Sequence, residues 1–150
     1  VERAAVYKHI LIATDGSDLA GKAVTAGLEL AARLGARVTA VTATQPWSAM
    51  MLGEPAALSF PIEEYEKAAA EDAGRILASV SEAARKLDVP CETTRVNDFP
   101  AEAIVATARA KNCDLIVMAS HGRRGVARML LGSQALAVLT QSTVPVLICR

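Results

Sequence analysis

The chain has 150 residues, 52% of them apolar and 21% charged, a globular balance that excludes intrinsic disorder, collagen-like repeats and a disulfide scaffold and suits one domain, 1–150, with a core of its own. Sixteen Lys and Arg offset sixteen Asp and Glu, so no global field draws the chain to nucleic acid or to an anionic membrane, and any polyanion must be held locally. No apolar run reaches the roughly 18 to 20 residues of a membrane span and Val1 to Tyr7 has no signal-peptide core, so a soluble, cytoplasmic protein is expected.

His9 to Thr14 is the first apolar run and reads as a strand. Behind it Ala20, Val24, Leu28, Ala31 and Leu34 step by three and four, with Ser17 or Asp18 as cap and Gly35 as stop, which predicts an amphipathic helix. Arg37 to Thr44, rich in Val and Thr, is the second strand. The stretch Thr44 to Pro61, with three prolines and the pair Met50 and Met51, is too long for an ordinary connection and is either a lid or a passive surface loop. The longest helix follows, with Ile62, Tyr65, Ala69, Ala73, Ile76, Val80, Ala84 and Leu87 on one face and its end before Pro90. Cys91 to Val96 is the third strand. A third helix starts at Pro100, where a missing N–H costs nothing in a first turn, and carries Ile104, Val105 and Ala108 on its apolar side. Leu115 to Ala119 and Val144 to Cys149 are apolar almost throughout, as expected of strands covered on both faces. Between them a fourth helix opens near Gly132 and Ser133 and is expected to bury Leu136 and Leu139. Cys91, Cys113 and Cys149 are odd in number and widely spaced, and read as small reduced core residues.

Strands alternating with helices imply parallel pairing and right-handed crossovers, hence a three-layer, doubly wound, Rossmann-like α/β sheet of five parallel strands with about four helices. Ligands of such sheets lie outside the carboxyl ends of the strands, where the winding reverses, so Ala13 to Ser17, Ala43 to Pro46 and Ala119 to Ser133 should converge on one site. The third of these segments carries the clearest chemistry. Ser120 to Ser133 reads SHGRRGVARMLLGS, with Gly122, Gly125 and Gly132, the cations Arg123, Arg124 and Arg128, and no acid. It follows a buried strand and leads into a helix start, where backbone N–H groups and the helix dipole favour an anion. The alternative is a glycine-rich surface turn with solvated arginines.

The stretch ILIATDGS from Ile10 to Ser17, VMASHGRRGVARMLLGS from Val117 to Ser133 and the ending TVPVLICR together resemble the universal stress protein family over essentially the whole chain. Nucleotide-binding members of that family carry a glycine, two residues, a glycine, nine residues, then glycine and serine or threonine. Here Gly122, the nine residues Arg123 to Leu131, Gly132 and Ser133 match, and Ala119 stands at the first glycine position. The resemblance implies an adenine nucleotide alpha hydrolase-like fold and a homodimeric stress-response regulator that binds ATP, or AMP or ADP, with Mg2+ able to accompany ATP. By position, Ala13, Thr14 and Asp15 would line the adenosine pocket, with Asp15 facing ribose or a phosphate-bound cation, although its carboxylate can equally cap the following helix near Leu19. Ala43 would offer backbone contacts to adenine, and Met118 and Ala119 would floor the pocket. His121, if not simply solvated, would donate to phosphate. Gly122, Arg123, Gly132, Ser133 and Gln134 would complete the nucleotide site. The resemblance further implies antiparallel pairing of Val144 to Cys149 with a second copy.

Other motifs lead nowhere. GSDLAGK from Gly16 to Lys22 matches seven positions of a Walker A loop, but Ala23 lacks the hydroxyl for magnesium and Asp18 would put a negative charge in the phosphate cradle. A receiver domain would need a phosphoacceptor Asp at a strand end, and the ends at Ala43, Val96 and Ala119 carry none. There is no G-x-S-x-G elbow and no H-E-x-x-H, and the two histidines, His9 and His121, are far apart. Three functions remain: a nucleotide-binding regulatory module, a slow ATPase or phosphoryl-transfer enzyme in which Asp15 holds magnesium, and an interaction module whose site is vestigial because of Ala119.

Overall fold

A computed structural model describes residues 6–46, 61–122 and 130–150. In chain order the elements are β1 (His9–Ala13), α1 (Asp18–Leu34), β2 (Arg37–Ala43), α2 (Ile62–Lys86), β3 (Cys91–Val96), α3 (Pro100–Ala110), β4 (Leu115–Ala119), α4 (Ser133–Gln141) and β5 (Val146–Cys149). The strands form one parallel sheet in the order β3-β2-β1-β4-β5, so the winding reverses between β1 and β4. Ile10, Ile12, Val38, Ala40, Leu115 and Val117 face one way, against α1 and α2. Leu11, Val41, Ile116 and Met118 face the other, against α3 and α4.

Local chemistry explains most boundaries. Ser17 rather than Asp18 caps α1, its hydroxyl accepting from Ala20 N–H at 3.2 Å, and Gly35 ends the helix in the left-handed region at φ 67°. Where α1 crosses β1, a Cβ on Gly27 would come within 2.7 Å of Ile12 Cδ1, so glycine there lets helix and sheet approach closely. Pro100 occupies the first turn of α3 as expected. Thr44 to Pro61, read as a lid or passive loop, lies mostly outside the described residues.

Two expectations about helix faces need correction. In α4, Leu136 and Leu139 are 57% and 40% exposed, and Ala135 and Val138 are buried in their place. The rotation of this helix is set by a tether, Gly132 N–H donating to Ser120 O at 2.7 Å, which turns 135 and 138 toward the sheet. In α2, Ile62 and Leu87 are exposed, because the buried face is confined to Ala73, Leu77, Val80 and Ala84. Val144 precedes the last strand and is held in a turn by the Ser142 hydroxyl. Of the cysteines, Cys113 is buried and its thiol is pushed up to about 11, mainly by burial and secondarily by Asp114 and Glu92, so it stays protonated; Cys91 and Cys149 are half-buried.

His9 is buried at the start of β1, with Nε2 2.7 Å from Thr39 Oγ1, whose hydroxyl donates to Glu92 Oε1 at 2.9 Å. Burial first, and the Arg37 charge second, hold its pKa below the ordinary 6.5, against smaller upward pulls from the Lys111 backbone, Glu92 and Asp114. The unfolded chain therefore binds a proton that the folded chain resists, and stability from this group is complete above pH about 6.5 and lost as pH falls from there through the folded pKa. Urea unfolding at stepped pH from 7.5 to 5.5 should show this fall in the parent and a flatter profile in His9→Gln. Equal slopes in the two proteins would remove His9 as the cause.

Candidate functional site

The turn after β1 is built by its own side chains. Thr14 N–H still donates to Val41 O at 3.0 Å, while Thr14 Oγ1 accepts from Gly16 N–H at 3.1 Å and Asp15 Oδ1 accepts from Ser17 N–H at 2.9 Å. Gly16, at φ 80°, supplies the left-handed residue this turn requires. Asp15 thus closes a turn, and the helix-capping role belongs to Ser17. From the other side of the switch point the β4 loop leans on the same carboxylate, since a Cβ on Gly122 would stand 2.7 Å from Asp15 Oδ2.

β4 ends with Met118 and Ala119, both buried. Ala119 lies inside the strand and is not among the positive-φ residues, so its Cβ imposes no backbone strain where the family motif has glycine. Ser120 is buried, its N–H donates to Cys149 O at 2.8 Å, and its hydroxyl is 3.1 Å from His121 Nδ1. Among the described residues His121 Nε2 is buried and has no hydrogen-bond partner. In the tautomer in which Ser120 Oγ–H donates to Nδ1, Nε2 carries the ring proton and can donate to a ligand.

The start of α4 lies beside it. Gly132 is its N-cap and brings no side-chain acceptor, in contrast to Ser17 on α1. The Gly132 amide is committed to Ser120 O, and a Cβ there would lie 2.9 Å from that oxygen and 3.5 Å from His121 Cδ2. Glycine is required at 132 by the protein's own packing, and the first-turn amides that follow, from Ser133 on, are the groups left to face an anion. Gln134 lines the cavity, but its side-chain oxygen accepts from Ala101 N–H at 3.0 Å and so caps α3. Arg123, Arg124 and Arg128 lie outside the described residues.

At the far side stands the end of β2. Arg37 N–H donates to Lys8 and Val41 O accepts from Thr14, so odd-numbered residues of β2 turn their peptide groups toward β1; Val38 and Thr44 donate to Pro90 and Val96 of the β3 side. Because β1 stops at Ala13, paired with Val41, the peptide groups of Ala43 project past its end. In the sequence Ala43 is assigned only through the family resemblance.

These pieces surround one cavity of about 460 Å³, within the range of small-molecule sites. All the predicted site residues that are described line it: Ala13, Thr14, Asp15, Ala43, Met118, Ala119, His121, Gly122, Gly132, Ser133 and Gln134. Thr44 and Gln45 fall within the segment Ala43 to Pro46 expected at the site but were given no role of their own, and the sequence reading missed Tyr65 on α2 and Pro100 and Ile104 on α3. Thr44 at a strand end shows only β-propensity, and Tyr65 and Ile104 look like core positions at helical spacing. Among the described residues no group of three or more His, Cys, Asp or Glu could hold a metal ion, and no helix is long and apolar enough to cross a membrane.

A doubly wound sheet with such a crevice at its switch point, a helix start at one end and free peptide groups at the other, defines the class of α/β proteins that take a ligand across the carboxyl edge. Comparison with known proteins narrows the class: the model of the universal stress protein family matches residues 6–150, and the chain belongs to that family. Universal stress protein MJ0531 of Methanocaldococcus jannaschii is 34% identical over 146 residues, covering 97% of this chain and 83% of that one. Among solved structures, a universal stress protein in complex with cAMP is 26% identical, with a TM-score of 0.69 and coverage of 96% and 97%. The universal stress protein of Archaeoglobus fulgidus in complex with dAMP is 22% identical, with a TM-score of 0.70 and coverage of 97% and 99%.

Proposed function

We propose that the chain is an adenine nucleotide-binding regulatory protein of the stress response, acting in the cytoplasm as a homodimer. The observation that carries the nucleotide reading is the pairing, on one cavity wall, of the uncapped α4 start with the buried His121 Nε2, which has no hydrogen-bond partner among the described residues. The cAMP and dAMP complexes of structural relatives support an adenosine monophosphate unit as the common part of the ligand. ATP extends it by two phosphates. Asp15 is the carboxylate that would accompany Mg2+, an ion commonly held by one or two carboxylates together with phosphates.

The extended backbone at Ala119 supports a working site over a vestigial one. Among the described lining residues Asp15 is engaged in the turn after β1 and Gln134 caps α3, which favours binding over turnover. Freshly purified protein, denatured and examined by mass spectrometry, should release an adenine nucleotide, and the stripped protein should take up ATP, AMP or cAMP in a calorimetric titration. Absence of both defeats the nucleotide reading. ATP turnover should stay below roughly one per second, the lower end of ordinary enzymes. A faster, sustained rate that Asp15→Asn abolishes would establish the enzymatic alternative instead.

A further inference from the structure

One polar atom on the cavity wall is left over by this account. Thr44 Oγ1 is buried and, among the described residues, has no hydrogen-bond partner. A buried hydroxyl without a partner costs free energy that a ligand can return. The residue is otherwise fixed, because its N–H donates to Val96 O at 2.9 Å, and the next acceptor along the chain, Gln45 O, is occupied by the Tyr65 hydroxyl at 2.8 Å. At this end of the cavity, Thr44 Oγ1 and the outward peptide groups of Ala43 therefore stand as adjacent hydrogen-bonding groups.

If phosphates sit at α4 and His121, a nucleotide lying across the crevice puts its base at the end of β2. We propose that Thr44 is a specificity-determining residue for the base, its hydroxyl accepting a hydrogen bond from the exocyclic amine of adenine. This rests on the nucleotide reading above. Adenine presents that amine between two ring nitrogens that only accept, so its edge offers two amine protons flanked by acceptors. The Ala43 N–H and C=O have fixed polarity and suit one ring nitrogen and one amine proton, and the Thr44 hydroxyl takes the second amine proton. Hypoxanthine and guanine carry a carbonyl at the same position and would set oxygen against the Ala43 carbonyl.

The test crosses ligand and protein changes. Calorimetric titration of the parent and of Thr44→Val is carried out with ATP, with purine riboside triphosphate, which lacks only the amine, and with inorganic tripolyphosphate. The parent should prefer ATP over purine riboside triphosphate, and Thr44→Val should lose about 3- to 10-fold in ATP affinity while binding the amine-free analogue as the parent does. Unchanged tripolyphosphate binding shows that the phosphate end and the fold are intact, and Thr44→Ser, which keeps the hydroxyl, should keep the ATP preference. If Thr44→Val retains the full preference of the parent for ATP, or weakens both nucleotides equally, the proposal is overturned and Thr44 is a packing residue. If the parent binds tripolyphosphate but neither nucleotide, or binds nothing, the nucleotide reading itself fails and takes the proposal with it.

Discussion

Gly132→Val should abolish nucleotide binding, by at least about 100-fold, and should lower thermal stability as well. The Gly132 amide is 2.7 Å from Ser120 O, and a Cβ at 132 would fall 2.9 Å from that oxygen and 3.5 Å from His121 Cα and Cδ2. None of these neighbours is the free end of a flexible side chain. A branched residue must push the Ser120–His121 backbone away, and the displacement separates His121 Nε2 from the first turn of α4. Overpacking of this kind ordinarily costs about 1 to 3 kcal/mol of stability. The contact with Ser120 O means that the fold bears part of the cost beside the ligand site. Gly132→Ala, with the same Cβ and no branch, should fall between. Ser133→Ala removes a single hydroxyl and should cost on the order of 0.5 to 1.5 kcal/mol of binding if the ligand uses it. Titration with ATP beside a thermal melt checks all three; a Gly132→Val protein that binds ATP as the parent does would place the phosphates elsewhere.

What the sequence revealed and what it hid divide along a physical line. The span of α1 was legible because its signals are local: a hydroxyl at Ser17, a residue free to take positive φ at Gly35, and apolar steps of three and four between them. The parallel sheet followed from alternation of strand and helix, and the location of the crevice from the strand ends. The buried face of α4 was not legible, because Leu136 and Ala135 are equally good inward candidates until the tether from Gly132 to Ser120 fixes the helix rotation. Gln134 looked like a site residue for its position after Gly132 and Ser133, but it caps α3, 33 residues earlier in the chain. Thr44 was placed near the crevice by its strand end, but nothing marked its hydroxyl, since a threonine at the end of a β-branched run is what any strand shows. In each case the missing information was a contact between segments distant in sequence.

The second large effect concerns assembly, and it follows from the two edges of the sheet. β3, at one edge, carries Glu92, Thr93, Thr94 and Arg95, whose polar and charged side chains discourage pairing. β5, at the other, reads Val146, Leu147, Ile148 and Cys149 with no charge, and Leu147 is 42% exposed. Pro145 O accepts from Ile116 N–H and Cys149 O from Ser120 N–H, so odd-numbered residues of β5 face β4. The peptide groups of Val146 and Ile148 therefore point to the open edge, as required if this strand pairs with its symmetry mate. Val146→Pro removes a donor from the open side while sparing the ladder to β4, a placement that sheets tolerate at edges. It should convert a dimer into a folded monomer at micromolar concentration in light scattering. Leu147→Pro, one residue on, removes a donor from the side facing β4 and should instead destabilise the fold. A parent that is already monomeric, or a Val146→Pro protein that stays dimeric, would rule out pairing through β5.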